Sequence, residues 1–177
     1  MINSIIDIKA LAPLCNNSIK WTAYKSSDIV CGHFTTEAWH TIFGEIETEE
    51  ELRKHLTEYH DVTACLILRK DSIPIGFAYI ITEDNEKRII SIHGGGWSDA
   101  KNAVWSYYRG IYLIIEILLN AGIRVRTSCL KSNLRAYRFI NSIGFVRYHT
   151  GDKCCYFYIN KKRMENSRPY KFLNNKS

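Results

Sequence analysis

A histidine followed by three glycines is the part of the chain whose residue types best suit chemistry. His93 ends a strand-like stretch over 88–93, and Gly94, Gly95 and Gly96 follow it directly. Imidazole has an ordinary pKa of about 6.5, so it can take up or release a proton near neutral pH. Glycines let a ligand approach the backbone closely. We expect close approach of a ligand to the glycines, beside a candidate proton acceptor; the alternatives are a strand that ends in a flexible turn and a structural histidine.

The residues support a metal site or a disulfide less well than they support a ligand site at the glycines. Glu37 and His40 lie one turn apart on a possible short helix over 35–43, with His33 nearby, but the three residues lack the H-E-x-x-H spacing of a zinc site. The cysteines form no C-x-x-C pair, which argues against zinc-ribbon and thioredoxin motifs. We therefore expect no metal site, no structural disulfide and a reducing, cytoplasmic location.

The net charge of +6 comes mostly from the end of the chain. The cations of the segment 161–177 outnumber its one carboxylate, Glu165, and they are Lys161, Lys162, Arg163, Arg168, Lys171 and Lys176. The remaining chain is close to neutral, which makes a nucleic-acid-binding face an unfavoured interpretation. No apolar run reaches the ~18 residues of a membrane span, and no basic stretch precedes an apolar run at the start. We expect one domain over 1–160 and a solvated basic tail over 161–177.

Hydrophobic periodicity predicts the elements that must position these residues. Thr48-x-x-Glu51 is a capping box and predicts a helix start. An apolar stripe of period 3.6 predicts a long helix over 103–120, closed by Gly122, and a shorter helix follows over 133–143. Strands are predicted over 19–24, 64–69, 75–82, 88–93, 123–130, 145–149 and 154–160. This order predicts an α/β fold of mixed α+β type with a strand–helix–strand crossover.

A motif within the second helix points to a family. Asn133-x-x-Ala136 is followed, one helix later, by Gly144-Phe145. Asn suits a helix start, Ala allows close approach, and Gly takes the positive φ that turns the chain into the next strand. The segment resembles the signature of the GNAT superfamily of N-acetyltransferases, and the resemblance extends over about residues 62–160. It implies a GNAT-like fold, with a central, mostly antiparallel twisted sheet and helices on both faces.

The resemblance implies an acyltransferase that moves an acetyl group from acetyl-coenzyme A to a primary amine on a small molecule or peptide. In this family the pantetheine arm of the coenzyme enters between two parallel strands that separate, which by resemblance are 88–93 and 123–130. Gly94, Gly95 and Gly96 would line that gap, and the signature residues Asn133 and Ala136 would contribute to coenzyme binding.

The family's pyrophosphate loop precedes the long helix, where free amides and the helix dipole attract anions. One alignment places the loop over 107–112, using Gly110 but shortening the helix. The other places it over 98–103 and keeps the full helix, so that Lys101, Asn102 and Ala103 would face the phosphates. We prefer the second alignment, although it contains no motif glycine.

The resemblance assigns His93 as the general base. The position at which many members carry a catalytic Tyr holds Ile140, so Tyr137, one turn earlier, is the remaining candidate proton donor, with core or coenzyme packing as its alternative role. Trp97 and Trp105 are candidates for the cleft wall. The departures at the loop and at Ile140 keep open an inactive GNAT-like protein that binds acyl-coenzyme A or a partner. We expect no membrane or metal, and a homodimer is compatible with the sequence.

Overall fold

A computed structural model of the chain describes residues 19–23, 48, 50, 51, 54, 62–96 and 103–175. Its sheet contains β1 (Ile19–Ala23), β2 (Val62–Lys70), β3 (Ile73–Asp84), β4 (Ile89–Gly96), β5 (Arg124–Leu130), β6 (Val146–Thr150) and β7 (Cys154–Ile159). The described helices from residue 103 onward are α1 (Val104–Asn120), α2 (Leu134–Ser142), α3 (Lys161–Asn166) and α4 (Arg168–Asn174). The strands lie in the order β1-β2-β3-β4-β5-β7-β6, and β4–β5 is the one parallel pair among them. The predicted mixed α/β fold with its crossover is confirmed.

The crossover helix α1 packs closely on the sheet because of a glycine. The Trp21 indole N–H on β1 donates to the Gly110 carbonyl oxygen at 2.9 Å, and a Cβ at Gly110 would lie 2.6 Å from a Leu68 methyl on β2. The helix is continuous through Gly110, so the alignment that made 107–112 a loop is wrong. The mid-helix glycine therefore serves close helix–sheet packing.

The basic segment after β7 is not a solvated tail. Asn160 caps α3 by accepting from the Arg163 amide at 2.9 Å, and Pro169 stands in the first turn of α4. Met164 is 0% exposed, and the Tyr112 hydroxyl of α1 shares a 2.7 Å hydrogen bond with Ser167. The cations line the outer side of these helices while apolar groups reach the core, so residues 161–174 belong to the packed structure.

On β2, β3 and the start of β4, the opposite face of the sheet is also buried. Ile67, Phe77, Tyr79 and Ile89 are only 2–4% exposed, although they lie outside the core cluster beneath α1. The helices α1–α4 all associate on the first face. On the chain before β2, both predicted capping-box hydrogen bonds between Thr48 and Glu51 are present at 3.1 Å. The rest of that predicted helix falls largely outside the described residues.

Within the residues that the structure describes, no helix is long and apolar enough to cross a bilayer.

Candidate active site

The two parallel strands of the sheet separate part-way along their length. Their ladder pairs Ile89 with Arg124, Ile90 with Val125 and Ser91 with Arg126, and it ends there. Beyond this point β4 stays paired with β3 as far as Gly96, and β5 stays paired with β7 as far as Leu130. The two strands therefore present backbone edges to each other across a gap that opens directly after Ser91. This is the splay that the resemblance implied.

His93 lies two residues beyond the last β4–β5 pair. Alternation along β4 puts it on the face of Ser91, opposite Ile90 and Ile92, and it stands beside Tyr79 of β3. Burial lowers the pKa of His93 below its ordinary value, and the Glu83 carboxylate opposes this with a smaller effect. The imidazole is therefore neutral at pH 7 and able to accept a proton.

The three glycines form the last part of β4, so the strand extends beyond the predicted end at His93 and the alternative of a flexible turn is wrong. They pair with Ala78, Phe77 and Gly76 of β3. The Tyr107 ring of α1 explains part of their presence: a Cβ at Gly76 would lie 2.6 Å from that ring, and one at Gly94 would lie 3.1 Å from the Tyr107 hydroxyl oxygen and 2.5 Å from the Phe77 carbonyl oxygen. Packing thus requires glycine at positions 76 and 94.

Helix α1 begins directly after the segment 98–103 of the preferred loop alignment. Ala103 is buried at the N-cap, its side chain offers no cap hydrogen bond, and its carbonyl oxygen accepts from the Tyr107 amide at 2.8 Å. The amides of the preceding first turn, 104–106, lie at the positive end of the helix dipole. Lys101 and Asn102 lie outside the described residues, as does Trp97. Trp105 is 46% exposed and stacks on Phe172, so it belongs to the surface and not to the core.

The signature residues have structural roles around α2. Asn133 caps the helix by accepting from the Ala136 amide at 2.9 Å. Gly144 has a φ of +104°, and Phe145 is buried, as predicted. Ile140 is buried too, at the position where the family pattern has Tyr. Tyr137 packs edge-on against Phe157 of β7.

His93 and Tyr137 lie on opposite sides of the sheet. Phe157 pairs with Thr127 at the start of the unpaired part of β5, and its ring belongs to the core under α1. His93 projects from the other face of β4. The two predicted catalytic residues thus lie on opposite faces of the sheet, and the glycines form the β4 edge of the gap.

A charged cluster at the start of the gap was not predicted from the sequence. The Ser91 hydroxyl and the Arg126 guanidinium both donate to the Glu83 carboxylate. The sequence contains one weak signal for it, namely that Ser91 and His93 share a strand face. The strand register that brings Glu83 to them cannot be read from local patterning.

Among the described residues, no group of His, Cys, Asp and Glu side chains is arranged to hold a metal ion. The possible cluster of His33, Glu37 and His40 lies outside them.

Solved structures share this architecture at low sequence identity. Aminoglycoside acetyltransferase AAC(6')-Ib, in complex with ribostamycin and coenzyme A, aligns over 86% of this chain and 98% of its own at 18% identity and a TM-score of 0.67. A variant of spermidine N-acetyltransferase SpeG from Vibrio cholerae aligns over 92% and 100% at 14% identity, with a TM-score of 0.60. The chain has the GNAT fold. A third structure, an uncharacterized protein from Bacillus halodurans, aligns over 90% of this chain and 92% of its own at 12% identity and a TM-score of 0.68.

No protein-family model matches the sequence, and neither does any curated protein. The assignment of the fold accordingly rests on the comparison of three-dimensional structures.

Proposed function

We propose that the chain is an N-acetyltransferase that transfers the acetyl group of acetyl-coenzyme A to a primary amine. The observation that carries this proposal is the end of the β4–β5 ladder at Ser91 and Arg126, while both strands continue on their outer partners. Unpaired strand edges offer N–H and C=O groups to an extended, amide-containing molecule. The pantetheine arm has that chemistry and would bind along these strand edges.

The coenzyme's phosphates would bind at the tip of α1. Free amides and the helix dipole favour an anion there, and the N-cap lacks a side chain that would compete. In this proposal Lys101, Asn102 and Ala103 form the loop that contacts the pyrophosphate. Gly94, Gly95 and Gly96 let the pantetheine arm lie against β4, while Asn133 and Ala136 shape the start of α2 beside it.

The chemistry follows from a neutral base at the gap. The amine nitrogen attacks the thioester carbonyl carbon, so that a C–N bond forms and the C–S bond breaks. His93 takes the proton released by the amine. Backbone amides on the free edge of β4 would stabilise the oxyanion. The leaving thiolate takes a proton from Tyr137 in this proposal, or from water.

The acceptor is an amine whose class the fold leaves open. AAC(6')-Ib binds ribostamycin or kanamycin, and SpeG is a spermidine acetyltransferase. We therefore include aminoglycosides and polyamines, together with peptide amino termini and lysine side chains, among the acceptors to test.

Calorimetry with acetyl-coenzyme A and release of free thiol against this amine panel test the proposal. The wild-type chain should bind the coenzyme and release thiol with at least one amine. His93→Gln should lower kcat by about 100-fold or more if His93 is the base, whereas His149→Gln, an exposed histidine on β6, should leave kcat unchanged. Tyr137→Phe should lower thiol release if its hydroxyl is the proton donor.

Two other results separate the alternatives. Coenzyme binding without thiol release for any amine would favour an inactive GNAT-like binding protein, which the buried Ile140 at the family's Tyr position makes the second candidate. Absence of coenzyme binding would contradict both.

A further inference from the structure

Glu83 lies in an irregularity of β3 at the point where the central strands separate. The β3–β4 register shifts between Thr82 and Asp84, so Glu83 is an extra residue that faces no partner of its own on β4. Bulges of this kind redirect a side chain and occur often beside functional sites. Here the redirected carboxylate reaches β4 and β5.

The carboxylate of Glu83 bridges the last pair of the parallel ladder. One of its oxygens accepts from the Ser91 hydroxyl, and the other accepts from the Arg126 guanidinium at 3.2 Å. Ser91 and Arg126 are direct partners in the ladder. Ser91 is 5% exposed, and the Arg126 guanidinium carbon also lies 5.2 Å from the centroid of the Tyr148 ring on β6. Hydrogen bonds thus connect side chains of β3, β4 and β5 where the gap starts.

We propose that Glu83 is a positioning residue that fixes, through Ser91 and Arg126, the point at which β4 and β5 separate. The consequence for the coenzyme site rests on the proposed function, whereas the consequence for strand pairing does not. With both carboxylate oxygens partnered, Glu83 acts through its neighbours and not as an acceptor of the substrate proton. Loss of its charge loosens the pairs before the gap, and the free edges beyond them are then less well fixed.

Amide hydrogen exchange without coenzyme tests this directly. In Glu83→Gln, peptides covering 89–92 and 124–127 should exchange about two- to fivefold faster, the range of a partly exposed ion pair. The β7 peptide over 154–159 should not change. Asp84→Asn is the matched control, because Asp84 is the neighbouring carboxylate and its side chain bonds instead to Lys87 in the turn after β3. Arg126→Gln should reproduce the effect, and the double variant should exchange no faster than the more affected single one.

The pH profile separates a positioning role from a merely structural one. The described titratable side chains on the face of His93 include Cys65 on β2, Tyr79 and Glu83 on β3, Arg124 and Arg126 on β5, and Tyr156 and Tyr158 on β7. Glu83 is the charged group that acts on the pKa of His93. Since the Glu83 carboxylate raises the pKa of His93 against the effect of burial, Glu83→Gln should move the acid limb of kcat/KM to lower pH. It should also raise the KM for acetyl-coenzyme A by about two- to fivefold, with a smaller effect on kcat, and Asp84→Asn should do neither.

Faster exchange in both single variants, without additivity, supports the proposal. If the peptide over 89–92 exchanges at the same rate in Glu83→Gln as in the Asp84→Asn control, the proposal is wrong. If Glu83→Gln does not fold, as judged by circular dichroism, Ser91→Ala removes the hydrogen bond from β4 to Glu83 while the Arg126 contact remains, and faster exchange over 89–92 in that variant decides the question. A wild-type chain that fails to bind coenzyme overturns the proposed function alone, because the exchange measurement needs no ligand.

Discussion

Two glycines on the same face of β4 offer a matched test of how the gap is built. A Cβ added at Gly94 or at Gly96 would point toward α1, but its surroundings differ between the two positions. At Gly94 it would lie 2.5 Å from the Phe77 carbonyl oxygen, a backbone atom that cannot rotate away. At Gly96 its nearest neighbours would be the Ile75 carbonyl oxygen at 3.7 Å and the Tyr107 ring at 4.0 Å, which are ordinary contacts. The same substitution should therefore have opposite effects.

The expected magnitudes follow from two opposing contributions. Overpacking costs about 1–3 kcal/mol, while replacing a strand glycine by alanine gains about 0.5–1 kcal/mol from the unfolded chain. Gly94→Ala should therefore lower the free energy of unfolding by about 0.5–2 kcal/mol. Gly96→Ala should leave it unchanged or raise it by up to about 1 kcal/mol.

Thermal melting followed by circular dichroism measures this difference, at about 2–4 °C for each kcal/mol in a domain of this size. Gly94→Ala should also weaken coenzyme binding, because relief of the contact with Phe77 requires β4 to move away from β3 toward the gap. Equal melting temperatures for the two variants would refute the argument that the β3–β4 spacing and the Tyr107 ring require glycine at position 94.

Three further predictions concern other parts of the structure. Met164→Ala should lower the free energy of unfolding in urea by about 2–5 kcal/mol, whereas the exposed Lys162→Ala should change it by less than about 0.5 kcal/mol; equal effects would mean that the C-terminal helices do not pack. Folding lowers the pKa of His93, so the unfolded chain binds more protons than the folded chain below about pH 6.5. Acidification should therefore destabilise the wild type more than His93→Gln. If the urea midpoints of the two proteins fall by the same amount from pH 8 to pH 5, this prediction is wrong. Asn133→Ala should cost about 1 kcal/mol through loss of the cap to Ala136, and Asn133→Asp should retain most of that stability; an Asp variant as unstable as the Ala variant would exclude capping as the role of Asn133.

Much of the fold was predictable because its signals are local. The turn between β2 and β3 consists of Asp71 and Ser72, both with positive φ, which is the geometry of a tight two-residue hairpin. The Thr48–Glu51 capping box and the positive φ of Gly144 were likewise predicted from the residues alone. In each case a short stretch of sequence determines the backbone, so no knowledge of distant contacts was needed.

The errors arose where distant contacts decide the structure. The strand was predicted to end at His93, but pairing with β3 and the space needed by Tyr107 keep the glycines over 94–96 in the strand. Charge composition suggested a tail over 161–177, although Asn160 as a cap and Pro169 in a first helical turn were local signals of helices. A count of charges does not record which side of a helix is apolar.

The candidate site was predictable only in part. His93 and the glycines were found because their types suit chemistry and they adjoin one another in sequence. Glu83 and Arg126 are far apart in sequence, and their meeting depends on a strand register shift and on a parallel crossover. Lys101 and Asn102 stay predictions, since they lie outside the described residues.

A crystal structure of the chain with acetyl-coenzyme A tests the central claim most directly. The pantetheine arm should lie in the space between 92–96 and 127–130, with the phosphates at the amides that begin α1 and the thioester near His93. A coenzyme bound elsewhere, or a β4–β5 ladder that continues past Ser91 and closes the space, would contradict it.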